Sequence, residues 1–416
     1  MTTFTRWIGI GAAAGIVLAL VPVVRGSIGF DDPLRKIARP IAALRPAEPA
    51  PPKLDGLDLM RMDVRPSGVT APLSEGRTAE LTVDPQLQRT ARSLMQRYRV
   101  PEAGLVLSET ATGKVLAYAS YVAEGEPFDV NIRASAPAAS IFKVVTGAAL
   151  IEKAGLNAES EQCYHGGKSR LVADELTDDP RRDRWCATVA IAMGRSINVV
   201  FGRLAQKHLT PEDLLAMGGA LGFGSPVPFP VPNEPPKLDV PADPLEFART
   251  SAGFWHTTLS PLAGLVLTQT IANGGVALEP RIIASVRKGD TELWRDSDAP
   301  RVLRRAIQGT TAAELTAMMR QTVSNGSAYK AFHDARGQAF LPEIDVAGKT
   351  GTLSDHEANR HYTWFVGFAP ADKPVVAVSA LVVNTPTWHI KAPQLARDLL
   401  RAYFAKQRIK GVTPPS

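Results

Sequence analysis

Only two cysteines, Cys163 and Cys186, occur in 416 residues, which leaves room for one disulfide and none for a cysteine-rich zinc site. The closest approach to a metal pattern is His356-Glu357-Ala358-Asn359-Arg360-His361. Its histidines stand five apart instead of four and would not share one helix face, so no metal is expected. No basic block is interleaved with aromatics, and nucleic acid is therefore not implied as a partner. The net charge of +6 and pI near 9.3 are mild; they suit work beside anionic lipid or polymer as well as they suit an ordinary basic surface. With 45% hydrophobic residues the chain can bury one large core.

One long weakly polar to apolar run is present, Trp7 to Val24. As a helix it would span ~27 Å, about the hydrocarbon thickness of a bilayer. No small-residue cleavage site follows it, since the exit reads Pro22-Val23-Val24-Arg25-Gly26, so residues 1–25 are expected to be an uncleaved single-pass anchor. The positive charges argue for the opposite orientation to the one adopted here: Arg6 precedes the run, whereas Arg25, Arg35, Lys36, Arg39 and Arg45 follow it. Gly11 and Gly15 form a Gly-x-x-x-Gly face, read as chance in an alanine-rich segment. Residues 26–77, with Pro40, Pro46, Pro49, Pro51 and Pro52, are expected to be an extended juxtamembrane linker.

Three short patterns follow in order: Ser140-Ile141-Phe142-Lys143, Ser196-Ile197-Asn198, and Lys349-Thr350-Gly351 with Thr352 after it. Ser-x-x-Lys is weak alone, because it also occurs at Ser285/Lys288 and Ser327/Lys330. Context selects Ser140. Ser285 lies in a charged stretch and Ser327 follows the turn dipeptide Asn325-Gly326, whereas Ser140 precedes a run that is apolar on nearly every face and stops at Ala154-Gly155. A lysine three residues on shares the serine's helix face, and apolar surroundings would lower its pKa until it can take a proton. Ser-x-Asn and Lys-Thr-Gly each occur once. Ser196 interrupts a helical stretch, and Lys349 ends a short apolar segment, Ile344 to Ala347. Gly351 would leave room for substrate backbone beside that strand.

The ordered set resembles the transpeptidase domain of penicillin-binding proteins, the family that cross-links bacterial cell-wall peptidoglycan. The likeness extends to Leu81-Thr82-Val83-Asp84-Pro85-Gln86-Leu87-Gln88, to the hairpin from Gly104-Leu105-Val106-Leu107 through Thr112 to Ala117, to Ile271-Ala272-Asn273-Gly274-Gly275 and to Trp364-Phe365-Val366-Gly367-Phe368. It covers residues 78–408, leaving 409–416 as a tail.

Local signals place a helix from Pro85, capped by Asp84, to about Tyr98, then the hairpin. Pro226 to Pro244 carries eight prolines and reads as a surface loop, a candidate cover for the cleft. Strands are expected at Thr363–Phe368 and Val375–Val383, with a final helix opened by Pro393. Helices with an antiparallel sheet give an α+β class. The resemblance sharpens this to an antiparallel sheet sandwiched by helices, with a helical subdomain carrying Ser196.

The resemblance implies a D,D-transpeptidase. Lys143 would take the proton from Ser140, which attacks the carbonyl between two terminal D-alanines, and the backbone N–H groups of Ser140 and Thr352 would hold the oxyanion. Ser196 would pass a proton to the departing D-alanine beside a positive Lys349. Asn198 would position the substrate amide, and the Thr350 and Thr352 hydroxyls its carboxylate. β-Lactams would block the serine. The partners implied are peptidoglycan stem peptides, the membrane and a separate glycan polymerase, because 52 residues between anchor and catalytic domain cannot hold a glycosyltransferase module; no cofactor is implied. A D,D-carboxypeptidase, a β-lactamase or β-lactam sensor, and a catalytically silent scaffold are the alternatives. Rapid deacylation is not favoured, because no Glu-x-x-Leu-Asn base follows Ser196. The catalytic bulk is expected on the extracytoplasmic side of the plasma membrane, where Cys163 and Cys186 can pair; two unpaired buried thiols are the alternative.

Overall fold

The computed structural model describes residues 52–167 and 170–409. The expected anchor, residues 26–51 of the expected linker and residues 410–416 lie outside these. Among the described residues no helix is long and apolar enough to cross a membrane.

The central sheet is antiparallel, with strand order Ala347–Asp355, Arg360–Ala369, Val376–Asn384, Glu102–Glu109 and Val115–Val122. Every residue of Val376–Asn384 is buried, because helices cover both faces of this strand. Successive side chains point to opposite faces. Leu105, Leu107, Val378 and Val382 therefore join one core with Leu87 of the helix Pro85–Arg97 and with Leu395 and Leu399 of the helix Ala392–Ile409. Val106, Ala377 and Leu381 join the other with Leu262 and Leu265 of the helix Pro261–Ala272. The sheet sandwiched by helices agrees with the sequence reading.

Residues 52–77 correct that reading. Asp63–Arg65 and Gly68–Pro72 are strands, extending a second antiparallel sheet in the order Asp63–Arg65, Gly68–Pro72, Arg77–Leu81, Ile283–Lys288, Thr291–Arg295. Val69 and Ala71 alternate into the core and hold this piece to the rest of the fold. The Pro226–Pro244 segment is the expected surface loop, but it does not cover the cleft. It packs Val227, Val231 and the Phe229 ring, stacked on Tyr118, against the main core and lines no part of the Ser140 cleft.

The helical region carries the second pattern. The helix Val189–Arg195 ends at Ser196, whose φ of 58° is left-handed, and the helix Asn198–His208 begins two residues later. Beside it the short strands Glu161–Tyr164 and Trp185–Thr188 pair with Cys163 opposite Cys186, and the two sulfurs are bonded.

Candidate active site

Ser140 sits in a single 3-10 turn, Ala139–Phe142, that feeds directly into the helix Lys143–Ala154. The turn is held from several sides. Trp364 Nε1 donates to Pro137 O at 2.9 Å, and Ala138 N donates to Thr257 O at 3.1 Å. Gly253, with φ of 84°, ends the helix Pro244–Ala252 against the same turn. A Cβ on Gly253 would lie 2.2 Å from Ala139 O, so only glycine permits this approach.

Lys143 is fully buried and its Nζ donates to Ser140 Oγ at 2.9 Å, to Asn198 Oδ1 at 2.7 Å, and to the carbonyl of Ala252. All three acceptors are neutral. Burial, reinforced by the charge of Lys349, holds the Lys143 pKa well below the usual lysine range. A neutral amine at this distance from a serine hydroxyl can accept its proton.

Lys349 is also fully buried, and donates to Ser196 Oγ and to Thr350 O, both at 2.9 Å. Desolvation lowers its pKa to about 7. The site thus contains two buried lysines, each hydrogen-bonded to its own serine. The three sequence patterns meet here in one cleft of about 560 Å³, lined by Ser140, Ser196, Asn198, Thr350 and Thr352 among others.

Among the described residues the strand Ala347–Asp355 is the sheet edge and pairs only with Arg360–Ala369. It begins at Ala347 and runs on past Lys349, so Lys349 follows the apolar segment 344–347, in which Ile344, Val346 and Ala347 are buried, and stands third in the strand. Gly351 is also constrained by packing within the protein. A Cβ there would meet Trp364 Cβ at 3.2 Å and Ala138 O at 3.3 Å. Its lack of a side chain lets the strand lie against the turn before Ser140.

One residue set aside in the sequence belongs to the cleft. Ser327 lines it, and its Oγ lies 2.5 Å from Thr350 Oγ1. Its backbone N–H donates to Gly194 O at 2.9 Å, tying this turn to the helix that ends at Ser196. Arg195 and His356 also line the cleft. The local patterns at Ser327 and His356 point to other roles, and Arg195 carries none. Of the other Ser-x-x-Lys matches, Ser285 is buried in a strand and donates to Glu80 at 2.6 Å.

Residues 103–401 match the model of the penicillin-binding protein transpeptidase domain. Peptidoglycan D,D-transpeptidase PbpA of Mycobacterium tuberculosis is 28% identical over 351 residues, covering 74% of this chain and 68% of that protein. Penicillin-binding protein PbpB of Mycolicibacterium smegmatis is 27% identical over 350 residues, covering 78% and 52%. The crystal structure of PBPA from M. tuberculosis superposes with a TM-score of 0.63 at 25% identity, covering 79% and 81% of the two chains. Its ceftriaxone acyl-enzyme complex gives a TM-score of 0.65 at 25% identity, covering 79% of each.

Proposed function

We infer that this chain, which belongs to the penicillin-binding protein transpeptidase family, is a peptidoglycan D,D-transpeptidase, a serine acyltransferase that β-lactams inhibit by acylating it. The observation that carries this reading is the 2.9 Å hydrogen bond from the buried Lys143 to Ser140 in a cleft also lined by Ser196, to which the buried Lys349 donates.

In this reading Lys143 removes the Ser140 proton as Oγ attacks the D-Ala–D-Ala carbonyl. The backbone N–H groups of Ser140 and Thr352 hold the oxyanion; one such donor typically lowers the barrier by ~3 kcal/mol. Ser196 delivers a proton to the departing D-alanine. Lys349 in its cationic form supplies the proton and draws the substrate carboxylate toward Thr350 and Thr352. Asn198 orients both Lys143 and the substrate amide. Ser327 fixes the Thr350 hydroxyl.

The anchor, orientation and partners belong to the same proposal. Residues 1–25 hold the protein to the plasma membrane with the catalytic domain outside. The Cys163–Cys186 bridge supports that side, because disulfides persist in oxidising compartments. A glycan polymerase supplies the strands to be cross-linked.

The test is incubation of the purified protein with a pentapeptide donor and a peptide amine acceptor. Release of D-alanine with formation of the joined peptide supports the reading. Release without joining would make the enzyme a carboxypeptidase, and no release at all would make it a scaffold.

A further inference from the structure

A second cavity, of about 600 Å³, adjoins the catalytic cleft and shares Arg195 and Ser196 with it. Its wall is the disulfide-bonded hairpin. Tyr164 and Trp185 stand opposite each other one residue beyond the bridged cysteines, with ring centroids 6.3 Å apart. Trp185 is 59% exposed, an unusual state for a large aromatic on a rigid support. Arg170 and Arg195 are exposed, and neither guanidinium has an ion-pair or hydrogen-bond partner among the described residues. The acid at this cavity, Glu175, is nearly buried and already accepts from Val172 N. Two unpaired cations and an exposed indole therefore face a space that opens onto Ser196.

Resting on the transpeptidase reading, we propose that this cavity seats the second peptide, the one whose amine takes the acyl group, and that Arg170 and Trp185 select it by its carboxylates and apolar stem. Aminolysis of the acyl-enzyme is the acylation step reversed with a different amine. The incoming nitrogen therefore approaches along the path on which the first amine left, past Ser196 Oγ. As the C–N bond forms, the ester bond to Ser140 Oγ breaks. The proton lost by nitrogen passes to Ser196, which returns one to Lys349, and Lys143 returns its proton to Ser140 Oγ, restoring the hydroxyl and both lysines. The rest of the acceptor must lie in space contiguous with Ser196, which this cavity provides. Guanidinium groups are suited to carboxylates, and the indole face to aliphatic or peptide surface.

The test uses the full-length protein with an N-acylated D-alanyl thioester as donor and two acceptors, glycyl-glycyl-glutamate and its uncharged glycyl-glycyl-glutamine amide counterpart. The joined and hydrolysed products are quantified. The wild type is expected to favour the anionic acceptor by about tenfold, the effect of one added charge-assisted contact. Arg170→Glu should erase that preference, and Trp185→Ala should lower joining to both acceptors. Acylation by fluorescent penicillin should stay within about twofold in both variants, which also reports that they are folded. An anionic preference that is absent in the wild type, or unchanged in Arg170→Glu, would overturn the inference while the joined product upholds the transpeptidase reading. Equal loss of acylation and joining would assign the cavity to the donor and also overturn it. Hydrolysis alone from the wild type, with penicillin acylation intact, would remove the transpeptidase reading and this inference with it.

Discussion

Lys349 Nζ lies 2.9 Å from Ser196 Oγ although the two residues are 153 positions apart in the chain. The contact joins the edge strand of the sheet to the break between two helices, and it makes Ser196 the nearest hydroxyl to a lysine whose pKa is about 7. Ser196→Ala should therefore slow penicillin acylation by about 10²-fold, the usual scale of a positioned proton-transfer group, while leaving the Lys143–Ser140 pair in place. Stopped-flow competition with a chromogenic cephalosporin measures this. A rate within about threefold of the wild type would remove Ser196 from the proton path.

The two lysines predict a pH profile of defined shape. Lys143 must be neutral to accept the Ser140 proton, so the second-order acylation rate rises with pH through its lowered pKa. Lys349 must be charged to draw the carboxylate, so in the free enzyme the rate falls above about pH 7. In Lys349→Arg, which keeps the charge at all accessible pH values, the rate should be lower and its alkaline decline absent. A decline at the same pH in that variant would assign it elsewhere.

How much of this was legible in the sequence differs residue by residue. Ser140 and Lys143 were legible because the nucleophile pattern is followed by eight consecutive buried residues, Lys143 to Leu150, a local signal of a buried helix. Ser327 was not. Its match to Ser-x-x-Lys was set aside on the Asn325-Gly326 turn, and nothing local shows that this turn bonds Gly194 on one side and Thr350 on the other. The packing of Ala138 behind Gly351 is invisible without the tertiary structure. Residues 63–72 were read as linker because only Val69 and Ala71 of the Gly68–Pro72 strand are buried, too few apolar positions to reveal a strand whose partner lies at Arg77–Leu81.

Buried catalytic lysines should cost stability. The folded Lys349 releases its proton near pH 7, whereas in the unfolded chain the ordinary lysine value of 10.5 applies. Between these values the unfolded state binds more protons, so stability rises with pH across that window, by at most about 1.4 kcal/mol per unit for this one group. Lys349→Met should be more stable than the wild type at pH 7 and should lose part of that rise. Urea denaturation at pH 7 and pH 9 compares them; an identical pH slope in the two proteins would contradict the lowered pKa.

Arg203 links the Asn198 helix to the loop between the cysteines. It is fully buried and holds Asp183, itself 7% exposed, through contacts of 2.8 and 3.0 Å, and it also donates to Glu175 O and Cys163 O. Arg203 keeps the Asp183 carboxyl far below the usual carboxylate range. Arg203→Leu would leave that buried carboxylate with only the His165 ring and the Asp179 N–H as partners, for a loss of about 3 kcal/mol in unfolding free energy. A loss under about 1 kcal/mol by denaturant titration would show that the pair is not structural.

Labelling with a fluorescent penicillin shows whether Ser140 is the acylated nucleophile. The wild type should form a stable labelled band, Ser140→Ala should form none while retaining the wild-type unfolding transition, and Ser327→Ala should still be labelled. Labelling that persists in Ser140→Ala would contradict the account.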